Sequence, residues 1–271
     1  MKIPVRFKQA VRTSLYAVNG FFSDIVLEIN GGAKRSREYL SSVRDQFAGQ
    51  RCFVIGNGPS LTAEDLSSLS NEITFASNRI AKIFDTTDWR PTYFGMLDDD
   101  VVRAAGVKDG INRTECSKMF FLKESYSSFH DIKGDICWLH AWYQRKYLKN
   151  PQFSNDLTKG VYCIATVTYM LIQIAAYMGF TEIYLLGCDN TYAVERNKDG
   201  TLKVNVGKRS YFGAESEQEK ASIGASWEAD IAYGFAEKYS REHNFRIYNA
   251  TRGGALEIFE RRDLDEVLRQ R

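Results

Sequence analysis

The sequence predicts an α/β fold built on a mostly parallel sheet with helices on both faces, preceded by a helical appendage. Three observations carry that prediction. Short apolar runs alternate with helix-length stretches from residue 52 to residue 248, as right-handed βαβ units do. The run from Cys52 to Ile55 is apolar throughout instead of alternating, the mark of a strand buried on both faces. The first run, Cys52-Phe53-Val54-Ile55, breaks into Gly56-Asn57-Gly58-Pro59-Ser60 ahead of a capped helix. A chain of 271 residues is long enough for one such domain with additions at its ends.

Residues 1–50 form the appendage. Lys2, Arg6, Lys8 and Arg12 mix with Phe7, Val11, Leu15, Phe21 and Phe22. That basic, amphipathic composition over residues 1–25 suits a membrane surface, but a helix packed on its own domain or on a second subunit of a homo-oligomer is the plainer expectation. Gly31-Gly32 breaks the segment before a polar helix over 37–47.

The main domain runs over 51–260. After the glycine turn a helix covers 61–69, with Thr62 and Asp65 at capping-box spacing. A strand at 73–76 ends in Ser77-Asn78-Arg79, and a helix follows at 80–84. A strand at 91–97 runs into Asp98-Asp99-Asp100. Further strands are expected at 118–122 and 136–140, the latter followed by Trp142, Tyr143, Arg145, Lys146 and Tyr147, which suit a sugar-stacking groove or a packed helix. Thr158-Lys159-Gly160 precedes a buried helix over 167–178, stopped by Gly179. The strand at 182–186 ends in Gly187-Cys188-Asp189-Asn190. Residues 193–220 are polar and glycine-broken and read as a lid loop. A helix at 229–243, a strand at 245–248 and a short helix at 264–268 within the tail 261–271 complete the chain.

In parallel sheets ligands bind beyond the carboxyl ends of the strands. Asn57, Asn78, Asp98, Asp189 and Asn249 each follow a predicted strand. The turn Gly56, Asn57, Gly58, Pro59, Ser60 offers backbone N–H groups and a helix start to a phosphate. It lacks the third glycine of G-x-G-x-x-G and the Lys-Ser/Thr of a P-loop. For a general base, Asp189 and then Asp98 are the carboxylates at this rim. Asp98 and Asp100 stand at i and i+2, a spacing that holds Mg²⁺ or Mn²⁺ against a diphosphate and equally caps a helix starting at Val101. His140 ends a strand; one histidine alone fits a structural role better than a catalytic one. Lys208, Arg209, Tyr211 and Arg252 are loop donors for a leaving phosphate.

A net charge of +2 gives no electrostatic case for nucleic acid. Cys52, Cys116, Cys137, Cys163 and Cys188 are not at metal spacing and read as buried thiols in a reducing cytoplasm. No apolar run reaches membrane-spanning length and no leader is visible, so the expected location is cytoplasmic, at most against the inner face of a membrane.

GNGPSL, TKGVY at 158–162, GFTEIYLLGCDNTY at 179–192 and YNATRGGALEIF at 248–259 together resemble the family known as domain of unknown function 115, or MptE-like, whose members occur with surface-polysaccharide genes. The chain is also similar to the CMP-sialic acid transferases of glycosyltransferase family 42 and to the motility-associated factors linked to flagellin glycosylation. The archaeal protein that gives the family its name is a 6-hydroxymethylpterin diphosphokinase. The resemblance implies a Rossmann-like fold and a phosphate-bearing nucleotide. By motif it puts Gly56, Asn57, Gly58 and Ser60 under the phosphates, Asn78 on the nucleotide and Gly160 near the donor. Asp189 sits after its strand as an aspartate does there, and Tyr192 and Tyr211 stand in for two tyrosines on the leaving phosphate. The chain departs from the sialyltransferases at Ala225-Ser226-Trp227-Glu228, where they carry a histidine base. The expectation is a transferase of surface-glycan synthesis with a nucleotide-sugar donor and a glycan acceptor. A Mg²⁺-dependent diphosphokinase using ATP and a non-catalytic nucleotide-binding subunit of an assembly complex are the alternatives.

Overall fold

The computed structural model describes residues 18–270 except 98, 103, 105, 143–145, 214–216 and 221, and leaves the side chains of 100, 146, 147, 217 and 218 undescribed. Eight strands make one sheet: β1 (Arg51–Ile55), β2 (Thr74–Ser77), β3 (Tyr93–Met96), β4 (Lys118–Leu122), β5 (Ile136–Leu139), β8 (Glu182–Leu186), β12 (Arg246–Asn249) and β13 (Glu260–Arg261). Two short strands, β6 (Ala141–Trp142) and β7 (Val161–Tyr162), pair separately. The large sheet has the order β13-β12-β8-β1-β2-β3-β4-β5, and every pairing in it is parallel. The chain leaves β1 toward β2 on one side and comes back to β8 on the other, so the order reverses between β1 and β8.

Both faces are covered, which explains the uninterrupted apolar runs. Cys52 and Val54 point into one core with Phe75, Phe120, Ile183 and Leu185, under helices Gly32–Val43, Val167–Tyr177 and Ser226–Glu242. Phe53 and Ile55 point into the other core with Phe94, Phe121, Tyr184 and Leu186, under the shorter helices Ala63–Ser68 and Leu264–Arg269. Successive residues of a strand thus feed opposite cores.

The ends of the chain are more integrated than the sequence suggests. The helix expected at 37–47 spans Gly32–Val43 and buries Leu40 and Val43 in the first core. The terminal helix buries Leu264 and Val267 in the second, and Arg51 clamps it by donating to Val267 O and Gln270 O while pairing with Glu72 at 2.7 Å. The segment expected as a lid loop contains β9 (Val194–Arg196) and β10 (Leu202–Val204), which form a small sheet with β11 (Ile223–Gly224) in the order β10-β9-β11. Ile80–Ile83 is a 3₁₀ turn instead of an α-helix. Among the described residues no helix is long and apolar enough to cross a membrane.

One buried polar residue fixes the approach to the helix Val167–Tyr177. Gln173 has no exposed surface. Its carbonyl accepts from Ser154 N at 3.1 Å and Tyr162 N at 3.2 Å, and its amide donates to Tyr162 O and Tyr169 O. Four bonds saturate the group. Gln173→Leu keeps the volume but orphans two buried N–H groups, so it should cost roughly 2–4 kcal/mol, read as a lower urea midpoint at unchanged m.

Candidate functional site at the strand-order reversal

The turns after β1 and β8 face each other at the carboxyl rim. Gly56 N donates to Leu186 O and Gly58 N to Gly187 O, both at 2.8 Å. A Cβ on Gly56 would lie 2.2 Å from Gly187 O, and one on Gly58 would lie 1.9 Å from Asp189 Oδ2. The two glycines are therefore needed for the close approach of one turn to the other. A side chain at 58 would run into the Asp189 carboxylate, not into ligand space.

Asp189 is buried beneath this turn. Its Oδ2 accepts from Ser60 Oγ at 2.7 Å and Ser60 N at 3.4 Å, and its backbone O accepts from Ala255 N at 2.7 Å. Burial raises its pKa above the ordinary carboxylate value, against the pull of the Ser60 bonds. The glycine turn was expected to present its N–H groups to a phosphate. Instead Gly56 and Gly58 give theirs to the β8 turn, Ser60 gives its own to Asp189, and Pro59 has none. The N–H of Asn57 is left, with no acceptor among the described residues. The helix after the turn begins only at Ala63, where Thr62 and Asp65 cap it reciprocally.

A cleft of about 300 Å³ opens beside this contact, at the point where ligands bind in such sheets. Asn57 and Asn78 line one wall. Asn57 ties three segments: Nδ2 donates to Ser77 O at 3.1 Å, Oδ1 accepts from Arg79 N at 3.1 Å, and its backbone O accepts from Phe212 N at 3.1 Å. Asn78 sits in the left-handed region at φ 53°, and its side-chain amide has no partner among the described residues. A non-glycine residue held there at a site wall is a place where backbone strain is retained.

Thr166, Val167 and Thr168 line the floor. They begin the eleven-residue helix Val167–Tyr177, with Thr166 Oγ1 capping Thr168 N and Ala165 turning at φ 58°. This helix end, instead of the one behind the glycine turn, brings a positive dipole to the cleft. A threonine cap ahead of the apolar run was the sequence signal for it.

The small sheet roofs the cleft. Tyr192 lies flat on Gly224, where a Cβ would be 2.1 Å from a ring carbon. Tyr211 faces the cleft with the Arg79 guanidinium 5.8 Å from its ring centre. Burial raises the pKa of both Tyr192 and the neighbouring Tyr233, keeping them as neutral donors. Burial likewise pushes the Cys188 thiol in the floor up to about 12. The roof is fastened by Phe212, which is buried in the second core, and by Glu219, whose buried carboxylate meets Lys82 Nζ at 2.8 Å. Glu228, in the first turn of helix Ser226–Glu242, also lines the cleft, 3.8 Å from Arg196 Nη2. Glu228 is the carboxylate that rim reasoning missed, because it comes from a helix start and not from a strand end.

The structure thus brings Gly56, Asn57, Gly58, Asn78, Asp189, Tyr192 and Tyr211 together around one cleft, with Ser60 fastened behind it. Others stand apart. Arg252 is committed to Asp65 Oδ2 at 2.6 Å and does not line the cleft. Gly160, at φ 141°, packs against His140 O, outside the lining. Asn249 points inward, donating to Leu256 O and accepting from Thr251 N. His140 pairs through Nδ1 with Glu124 at 2.6 Å, away from the lining. Asp98 and the side chain of Asp100, the expected metal ligands, lie outside the described residues, as do Tyr143 and Arg145. Among the described residues no three His, Cys, Asp or Glu side chains cluster as a metal site would require.

The family model described as 6-hydroxymethylpterin diphosphokinase MptE-like matches residues 28–195. No curated protein sequence matches the chain. Among solved structures it is similar to the MAf glycosyltransferase of Magnetospirillum magneticum AMB-1, at 15% identity and a TM-score of 0.50 over 86% of this chain. The chain spans 38% of that protein's length. It is also similar to the sialyltransferase CstII of Campylobacter jejuni in complex with cytidine-5'-monophosphate, at 16% identity and a TM-score of 0.45, covering 79% of this chain and 85% of that one. At 15% identity the likeness to the MAf glycosyltransferase is one of fold.

The buried Asp189 gives the site a pH signature. Its raised pKa means the native state holds that proton more tightly than the unfolded chain, whose value is near the ordinary 3.8. Stability from this group is therefore full below 3.8 and is lost as pH rises through the native value. Denaturant midpoints for the parent and Asp189→Asn, compared from about pH 3 to about pH 7, should differ by a slope of that sign confined to this window.

Proposed function

The chain belongs to the 6-hydroxymethylpterin diphosphokinase MptE-like family, and from that footing we propose that it is a glycosyltransferase of bacterial surface-polysaccharide synthesis with a nucleotide-activated, CMP-linked sugar donor. The observation that carries the reading is the cleft itself: a helix N-terminus and two roofing tyrosines share its lining with the Asp189 and Glu228 carboxylates. The donor phosphate lies on the Val167 N–H at the positive end of helix Val167–Tyr177 and on the Asn57 N–H, since Thr168 N and Tyr169 N already donate to Thr166. The hydroxyls of Tyr192 and Tyr211 donate to the phosphate oxygens as the bond from sugar to phosphate breaks and negative charge gathers there. The unpartnered amide of Asn78 reads the nucleoside. Glu228, held by Arg196, takes the proton of the acceptor hydroxyl as its oxygen bonds the sugar carbon. Asp189 serves through position, locking the two turns that make the wall.

The family's description favours a second reading, a diphosphokinase that uses ATP with Mg²⁺ or Mn²⁺, in which Asp98 and Asp100 after β3 hold the cation. Thermal shifts with CMP, CDP and ATP, with and without Mg²⁺, separate the two. Stabilisation by CMP in chelator supports the transferase, and stabilisation by ATP only with Mg²⁺ supports the kinase. Asn78→Ala should weaken nucleotide binding by about tenfold. Glu228→Gln should leave binding intact and lower turnover by about 10²-fold or more. Binding without turnover in the parent, on any donor tested, would point to a non-catalytic nucleotide-binding subunit.

A further inference from the structure

The helix over residues 18–29 exposes Val18 by 52%, Phe21 by 64%, Phe22 by 62%, Ile25 by 42% and Ile29 by 82%. Their spacing of three and four places them on one face. The opposite face holds Ser23 and Leu27, both buried, and Gly20, where a Cβ would stand 3.3 Å from Glu124 Cγ. The polar flanks are tied to the body: Asp24 Oδ1 meets Lys123 Nζ at 2.6 Å and Glu28 Oε1 meets Arg37 Nη1 at 2.7 Å. Burial of Leu27 and Ser23 sets the rotation of the helix with its apolar stripe outward, and the surface ion pairs accord with it. Lys123 and Glu124 directly follow β4, so the stripe stands at the same carboxyl rim of the sheet as the cleft.

We propose that this helix seats the protein on an anionic lipid bilayer, lying in the interface with the cleft-bearing rim beside the membrane. Charge selects this occupant over a second copy. Residues 1–17 carry Lys2, Arg6, Lys8 and Arg12 and no acidic residue. A cationic run next to an apolar stripe complements headgroup charge above acyl chains. A second copy would bring an identical basic run in place of the anionic surface that this run complements.

The test is co-sedimentation of the full chain with vesicles of phosphatidylcholine, plain or doped with phosphatidylglycerol. The chain should pellet with the doped vesicles, on the order of tenfold less with plain ones, and less at high salt. Phe22→Glu with Ile25→Glu should lower partitioning by on the order of a hundredfold, with an unchanged thermal midpoint, since both side chains face solvent. A chain that stays in the supernatant with both vesicles, or a double variant that binds like the parent, overturns the proposal. So does a concentration-dependent dimer in sedimentation velocity that the double variant abolishes, which would assign the stripe to a second copy. Nucleotide binding, read separately by thermal shift, does not enter this outcome.

Discussion

The rim of this protein depends on how closely two backbone turns approach. Gly56 and Gly58 meet Gly187 and Asp189 with no room for a Cβ between them, and the backbone bonds across the contact are short. The contact joins β1 to β8 where the strand order reverses, and it decides which polar groups a ligand finds. N–H groups that a glycine turn ordinarily offers are spent between the turns. The two glycine N–H groups go to the carbonyls of Leu186 and Gly187, and Ser60 turns its own N–H and hydroxyl to the Asp189 carboxylate.

A ligand is consequently displaced to the neighbouring groups that still have bonds to make. The first turn of helix Val167–Tyr177 supplies the dipole, and Asn78 supplies an amide held in a strained backbone. The small sheet closes over them, stitched to the glycine turn by Phe212 N donating to Asn57 O at 3.1 Å. Asn57 therefore couples the wall, the second strand and the roof.

The central strands were legible because burial on both faces writes an unbroken apolar run, as at Cys52–Ile55 and Ile183–Leu186. The small sheet was illegible for the opposite reason. Its strands are two or three residues long, and Leu202 and Val204 are exposed, so no burial period is recorded. Rim membership could be read, but side-chain direction could not. Asn249 and Asp189 both follow strands, yet one turns inward to brace a loop and the other lies under the glycine turn. Arg252 looked like a free phosphate donor because its partner, Asp65, lies 187 residues away in sequence. Glu228 escaped because the helix begins at Ser226, earlier than its apolar periodicity indicates.

Amide hydrogen exchange with and without cytidine monophosphate tests the location of the ligand most directly. The account predicts slowed exchange at residues 166–168, at Asn57 and across 210–212, with helix Ala63–Ser68 unaffected. Protection centred on helix Ala63–Ser68, or on any surface away from the β1–β8 reversal, would contradict it.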